Sequence, residues 1–201
     1  MSRFSAFTLQ LPDWVEAFLP DPDQVYPTVE ERMRLVIELS RRNVAEGTGG
    51  PFGAAVFNLE TGKLLAPGVN LVVPSHCSVA HAEIVAFMMA QPLVATFDLG
   101  TPGFPPYELV ASTEPCAMCF GSVPWSGVKS LVCGARDEDA RVVGFDEGPK
   151  LADWVIQLEK RGIRVQRDVL RSDAAAVLRA YAQSGPIYNP SREQWTVDSE
   201  Q

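Results

Sequence analysis

The chain has 201 residues, 46% hydrophobic and 21% charged, which is enough to bury one apolar core without disulfides and suits a single globular α/β domain. Its net charge of -8, with two histidines and no dense run of lysine or arginine, repels phosphate backbones and argues against a nucleic-acid partner. No stretch approaches the ~20 apolar residues of a membrane span, and Met1 to Phe18 holds no signal-peptide run, so the expectation is a cytoplasmic protein with no membrane partner.

Residues 1–27 carry Pro12, Pro20, Pro22 and Pro27 with no clear period, which predicts an extended N-terminal arm packed on the domain. Thr28 and Glu31 have capping-box spacing, and Val29, Met33, Val36, Ile37 and Leu39 form an apolar stripe ending near Gly47, so a helix of about 17 residues is expected. Arg32, Arg34, Arg41 and Arg42 on that helix are interleaved with Glu30, Glu31 and Glu38 and read as a solvated face. Two β-rich runs, 52–57 and 64–73, join through Glu60-Thr61-Gly62-Lys63 as a hairpin. A helix then runs from His81 to about Gln91, followed by a strand at 108–112, a helix at 116–126 and a strand at 130–133. Residues 151–161 read as a helix stopped by Gly162, 163–167 as a strand and 171–183 as a last helix. Strands alternating with helices imply a three-layer α/β/α sandwich around a mixed five-stranded sheet. It occupies residues 28–189, with 190–201 as a C-terminal tail.

The chemistry lies in His81-Ala82-Glu83 and Pro115-Cys116-Ala117-Met118-Cys119. A catalytic zinc takes three protein ligands and keeps one position open, and His81, Cys116 and Cys119 match that number with suitable donors, one Zn2+ per chain. Cys116 and Cys119 share one helix face, with Pro115 expected as the first helical residue, so both sulfurs sit at a helix N-terminus where thiolate is favoured. Residues two apart on a helix point roughly 200° away from each other, so His81 and Glu83 converge only off a helix end. The metal is therefore expected between two helix N-termini, with Glu83 bound to its water as proton shuttle. A thioredoxin-like redox pair would need a companion feature that is missing, and a structural zinc site would need a second ligand half. A purely structural zinc interaction domain would also have no use for Glu83. Cys77 and Cys133 lie in apolar surroundings and are expected as buried thiols.

The order His-x-Glu followed by Pro-Cys-x-x-Cys is that of zinc-dependent nucleobase deaminases. The chain resembles the cytidine deaminase-like superfamily and, within it, the bacterial guanine deaminases, from about Val29 to Asn189. The resemblance is carried by Gly49-Gly50-Pro51-Phe52-Gly53-Ala54, Asn70, Ala80-His81-Ala82-Glu83, Glu114 to Cys119 with Trp125, Gly144-Phe145-Asp146-Glu147 and Ile187-Tyr188-Asn189. It implies hydrolytic deamination of guanine to xanthine and ammonia, a small-molecule purine base as ligand, and a homodimer with the C-terminal segment near the partner's site. Glu147 is implied as the acid that grips the N1/N2 edge of the purine and assists loss of ammonia, with Asp146 beside it as the other choice. Asn70 is implied as a donor to purine O6 or N7, the Ala82 N–H as a donor to a substrate oxygen, Phe52 and Trp125 as stacking surfaces, and Tyr188 as a closing residue. Guanosine, ammeline and cytosine are other amino heterocycles the same machinery would serve. A tRNA adenosine deaminase shares the zinc motif but calls for a basic surface that this chain lacks.

Overall fold

The computed structural model describes residues 6–19 and 21–189, so the expected tail 190–201 lies outside the described residues. The arm is not wholly extended. Pro12 stands just before helix α1 (Asp13–Phe18), where its missing N–H costs nothing, and buried Val15 with Trp14 and Phe18 seats that helix on the core. Thr28 and Glu31 cap as their spacing predicts. The Thr28 hydroxyl accepts from the Glu31 amide at 3.2 Å, and the Glu31 carboxylate accepts from the Thr28 amide at 2.9 Å. They start helix α2 (Val29–Ala45).

The hairpin pairs β1 (Gly53–Asn58) with β2 (Leu64–Val69), antiparallel, and sets Gly53 opposite Val69 at its open end. The β-branched run beyond does not continue the strand. Instead the Asn70 side chain accepts from the Val72 amide at 3.3 Å and Leu71 donates to Ala80 O at 2.9 Å, which bends residues Val72–Ser75 into a short helix, α3. Helix α4 (Ala82–Leu93), strand β3 (Tyr107–Thr113), helix α5 (Ala117–Ser126) and strand β4 (Ser130–Ala135) follow. Helix α6 (Asp137–Val142) has no counterpart among the expected elements. Its start is held by Asp139, whose carboxylate accepts from the Arg136 amide at 2.8 Å, and three acidic residues complement its N-terminal dipole. Helix α7 (Trp154–Glu159) is shorter than the expected 151–161, and β5 (Arg164–Gln166) and α8 (Arg171–Ala182) complete the domain.

The sheet order is β2-β1-β3-β4-β5, with β1 antiparallel to both neighbours and β3, β4 and β5 mutually parallel. Alternation along each strand builds the two outer layers. Ala55, Phe57, Val110 and Val132 face Met33, Val36 and Leu39 of α2 and Val177 and Leu178 of α8. Val56, Leu109 and Leu131 face Ala86 and Ala90 of α4, Val123 of α5 and Leu158 of α7. Burying each such large side chain is worth about 1.5–3 kcal/mol. Arg32 leaves the solvated face expected for it: its guanidinium donates at 2.9 Å to Glu108, a buried acid that also accepts from the Ser130 hydroxyl at 2.7 Å. One close approach positions the site. A Cβ at Gly68 would stand 2.2 Å from Ala82 O and 2.5 Å from Ala86 N, so only glycine lets the first turn of α4 lie directly on β2.

Candidate metal and substrate site

The carboxyl ends of β2 and β3 and the start of β1 lie at one end of the sheet, the end at which α/β folds bind ligands. His81 is the N-cap of α4 and Cys116 the N-cap of α5, so two helix N-termini point at one place. The first helical residue after the cysteine is Ala117, which puts Pro115 one position before the cap rather than at the helix start. Its carbonyl accepts from Lys150 Nζ at 3.0 Å, tying the cysteine loop to the chain beyond α6.

The three ligand atoms of His81, Cys116 and Cys119 lie within 4.8 Å of one another, with Cys116 Sγ and His81 Nδ1 3.5 Å apart. Zinc bonds of about 2.3 Å to sulfur and 2.05 Å to nitrogen at a tetrahedral angle separate such atoms by about 3.6 Å, so these residues fit the ion. Their charge state suits it as well. The hydrogen bond from the Cys119 thiol, with help from His81, draws Cys116 down to about 4. The same contact, together with burial, pushes Cys119 up. Cys116 thus favours the thiolate form that binds metal, and a bound cation would displace the proton that Cys119 tends to keep. Burial opposes charge on His81, but Cys116, Glu83 and Glu147 together raise it.

Glu83, in the first turn of α4, is buried; burial first and the Cys116 charge second push its carboxyl up, as suits a group that takes and returns a proton near neutrality. Glu147 lies in the segment after α6. Its carbonyl accepts from the Ala117 N–H at 2.9 Å, which pins it to the start of α5. Burial, then Cys116 and Glu83, push its carboxyl up to about 8. Asp146 beside it is exposed and accepts from the Gly148 amide at 2.9 Å, so of the two acids Glu147 is the buried one.

A cavity of about 80 Å³ opens over these groups, lined among others by Phe52, Asn70, His81, Glu83, Glu147 and Tyr188. Asn70 follows β2 and is buried, its amide N–H donating to Phe52 O at 3.1 Å and its side-chain oxygen committed to Val72. Ala82 opens α4, where backbone N–H groups have no helical partner. Cys119 lies beneath the cavity, fully buried. Trp125 is not brought to the site: it sits at the far end of α5, 85% exposed, on the same solvent face as Met118. Cys133 is buried as expected, whereas Cys77 is only half-buried.

Several contacts at the site had no signal in periodicity or spacing. Buried Asn43 donates at 2.9 Å to both Gly50 O and Asn70 O, and its carbonyl accepts from Thr48, whose hydroxyl accepts from Trp14 of the arm. Phe145 packs edge-on against Phe52 at 4.9 Å and stacks with Tyr181 at 6.0 Å. Thr113 and Tyr188 line the cavity with buried hydroxyls that have no partner among the described residues. A periodicity argument finds none of these, because each is a tertiary coincidence of distant segments.

Comparison with known proteins places this geometry. The family profile "Cytidine and deoxycytidylate deaminase zinc-binding region" matches residues 27–135. A solved guanine deaminase from Nitrosomonas europaea is 48% identical, covering 91% of this chain and 98% of its own, with a TM-score of 0.84. Another solved structure, a complex with 2,6-diaminopurine, is 49% identical over 92% of this chain and 97% of its own, with a TM-score of 0.86. Among curated proteins, the guanine deaminase of Bacillus subtilis is 33% identical over 118 residues, 59% of this chain and 71% of its own length. A tRNA-specific adenosine deaminase of Buchnera aphidicola is 30% identical over 128 residues, 64% of this chain and 77% of its own length. The profile spans both arms of the zinc motif, and the chain belongs to the cytidine and deoxycytidylate deaminase family of zinc-binding proteins.

Proposed function

We propose that the protein hydrolyses guanine to xanthine and ammonia, and the buried Glu147 facing the same small cavity as His81, Glu83 and Cys116 carries this reading. A zinc ion held by His81, Cys116 and Cys119 supplies, when bound, an acidified water and a Lewis acid. Glu83 accepts the proton released by the attacking water and delivers it to N3 as the water oxygen bonds to C2. The hydroxyl proton on C2 then passes through Glu147 to the amino nitrogen, and the C2–amino bond breaks with its electron pair on that nitrogen, so ammonia leaves as C2 becomes the carbonyl of xanthine. Glu147 holds the N1–H and the C2 amino group and steadies the departing ammonia. The Asn70 side-chain oxygen already serves Val72, which leaves its amide nitrogen as the donor for O6 or N7. Phe52 supplies an apolar wall, the Ala82 N–H a donor to the substrate oxygen, and Tyr188 closes the cavity.

Tyr188 and Asn189 line the cavity together with Glu147, which supports a free base as the substrate. The charge of -8 and the covered cavity disfavour a tRNA substrate. We place the enzyme in purine breakdown in the cytoplasm, as a homodimer. Met88 and Leu93 of α4, Phe97 after it, and Met118 and Trp125 of α5 are exposed on one outer layer, more large apolar surface than a monomer normally leaves in water. Within the described chain Tyr188 lines the cavity, which supports its role as a closing residue. A panel of guanine, guanosine, adenine, cytosine and ammeline, followed by ammonia release, tests the reading: guanine is expected to have the highest kcat/KM. Preference for adenine or cytosine would overturn it.

A further inference from the structure

The loop that carries Glu147 is held from one side by α5 and from the other by the end of the domain. Asn189 makes both contacts on that second side: its side-chain nitrogen donates to Gly144 O at 2.8 Å, and its side-chain oxygen accepts from the Asp146 amide at 2.9 Å. The pair brackets Phe145 and fixes the backbone immediately before Glu147. The neighbours follow the same seam. The Tyr188 ring packs edge-on against Phe145 at 5.3 Å, and a Cβ at Gly144, whose φ is +105°, would touch Ile187 at 3.6 Å. Gly144 takes a left-handed turn that an L side chain resists, so the loop has the shape that receives this segment. Downstream, Arg141 donates to Gly148 O at 2.8 Å and the Ala117 amide donates to Glu147 O at 2.9 Å. Glu147 is thus suspended between a helix that also carries the zinc cysteines and a segment about forty residues later in the chain. Among the described residues, no hydrogen bond holds its carboxylate, so its aim depends on the backbone on either side.

We infer that Asn189 is a positioning residue for substrate selection: by clamping Gly144 and Asp146 it aims the Glu147 carboxylate at the substrate's paired donor edge. This rests on the guanine reading above. Asn189 is exposed and its loss opens no cavity, so the Ala variant keeps the fold.

The test uses full-length, zinc-loaded protein as wild type, Asn189→Ala, Glu147→Gln and the double variant. Guanine turnover is followed by ammonia release, and guanine affinity is measured for the same set in a Glu83→Gln background. Asn189→Ala is expected to lower kcat/KM about tenfold, the scale of one or two ordinary hydrogen bonds, mostly through weaker binding. The double variant is expected to fall within about twofold of Glu147→Gln alone, because the two residues act through one carboxylate. Additive losses, or an unchanged Asn189→Ala, would overturn the proposal. Amide hydrogen exchange keeps it independent of the substrate: exchange at Asp146 is expected to accelerate in Asn189→Ala while α5 stays protected. Unchanged exchange at Asp146 would sink the clamp even if guanine is the substrate. If instead guanine is not turned over while the exchange result holds, the functional reading fails and the clamp stands.

Discussion

At the scale of single residues, the site separates two carboxylates by role. Glu83 is fixed at the start of α4 beside the ligands, while Glu147 hangs on a loop above the cavity. Glu83→Gln keeps the shape and removes the proton shuttle, so zinc content should stay at one per chain while turnover falls at least ~10²-fold, the low end for positioned acid–base catalysis. Elemental analysis beside a rate measurement checks this, and a near-wild-type rate would move the proton elsewhere. Glu147 makes a pH statement. Burial and nearby negative charge hold its carboxyl up to about 8, so it is largely neutral below that pH and anionic above. Only the anion accepts from two donors at once. The KM for guanine is therefore expected to fall as pH rises from 6 toward 8, and Glu147→Gln should lose that slope along with much of the affinity, since its amide turns a donor toward a donor at a cost of about 1–3 kcal/mol. A KM that rises over that range would contradict the role.

At the scale of elements, what aims the ligands is the contact of α4 with β2. Gly68→Ala drives a Cβ into backbone atoms of Ala82 and Ala86 rather than into a flexible side chain, so α4 must shift at its first turn, at a cost of about 1–3 kcal/mol. The variant is expected to melt lower and to hold zinc more weakly, measured by thermal unfolding and by chelator competition. Unchanged zinc affinity would mean that the helix start tolerates the shift. The same contact shows what sequence reasoning reaches. The Thr28-Glu31 box, the hairpin and the two ligand-bearing helices were legible because each is a local pattern: a cap, a turn, a spacing of three. Short α3 was misread because Leu71, Val72 and Val73 have strand propensity, and the bonds that bend them come from Asn70 and Ala80. That Trp125 stands away from the cavity of its own chain was hidden for a related reason, as motif membership says nothing about which helix face looks outward. Asn43 did not stand out at all, Phe145 and Asn189 only as members of matching segments, and the contacts of all three were illegible because their partners are 27, 93 and 45 residues away.

At the scale of the whole molecule, the acidic charge and the covered cavity favour a small neutral base, and the bare outer face of α4 and α5 calls for a partner. Trp125→Glu places a charge on that face without touching the site. Sedimentation velocity is expected to show a dimer for the wild type and a monomer for the variant, with zinc content unchanged; a monomeric wild type would remove the dimer from this picture. The most direct measurement is guanine turnover against zinc occupancy. Zinc-loaded protein is expected to release xanthine and ammonia in equal amounts, to lose this on chelation and to regain it with added Zn2+, while Glu83→Gln stays inactive with zinc bound. Guanine left untouched by the zinc-loaded enzyme, or turnover that survives complete removal of the metal, would contradict it.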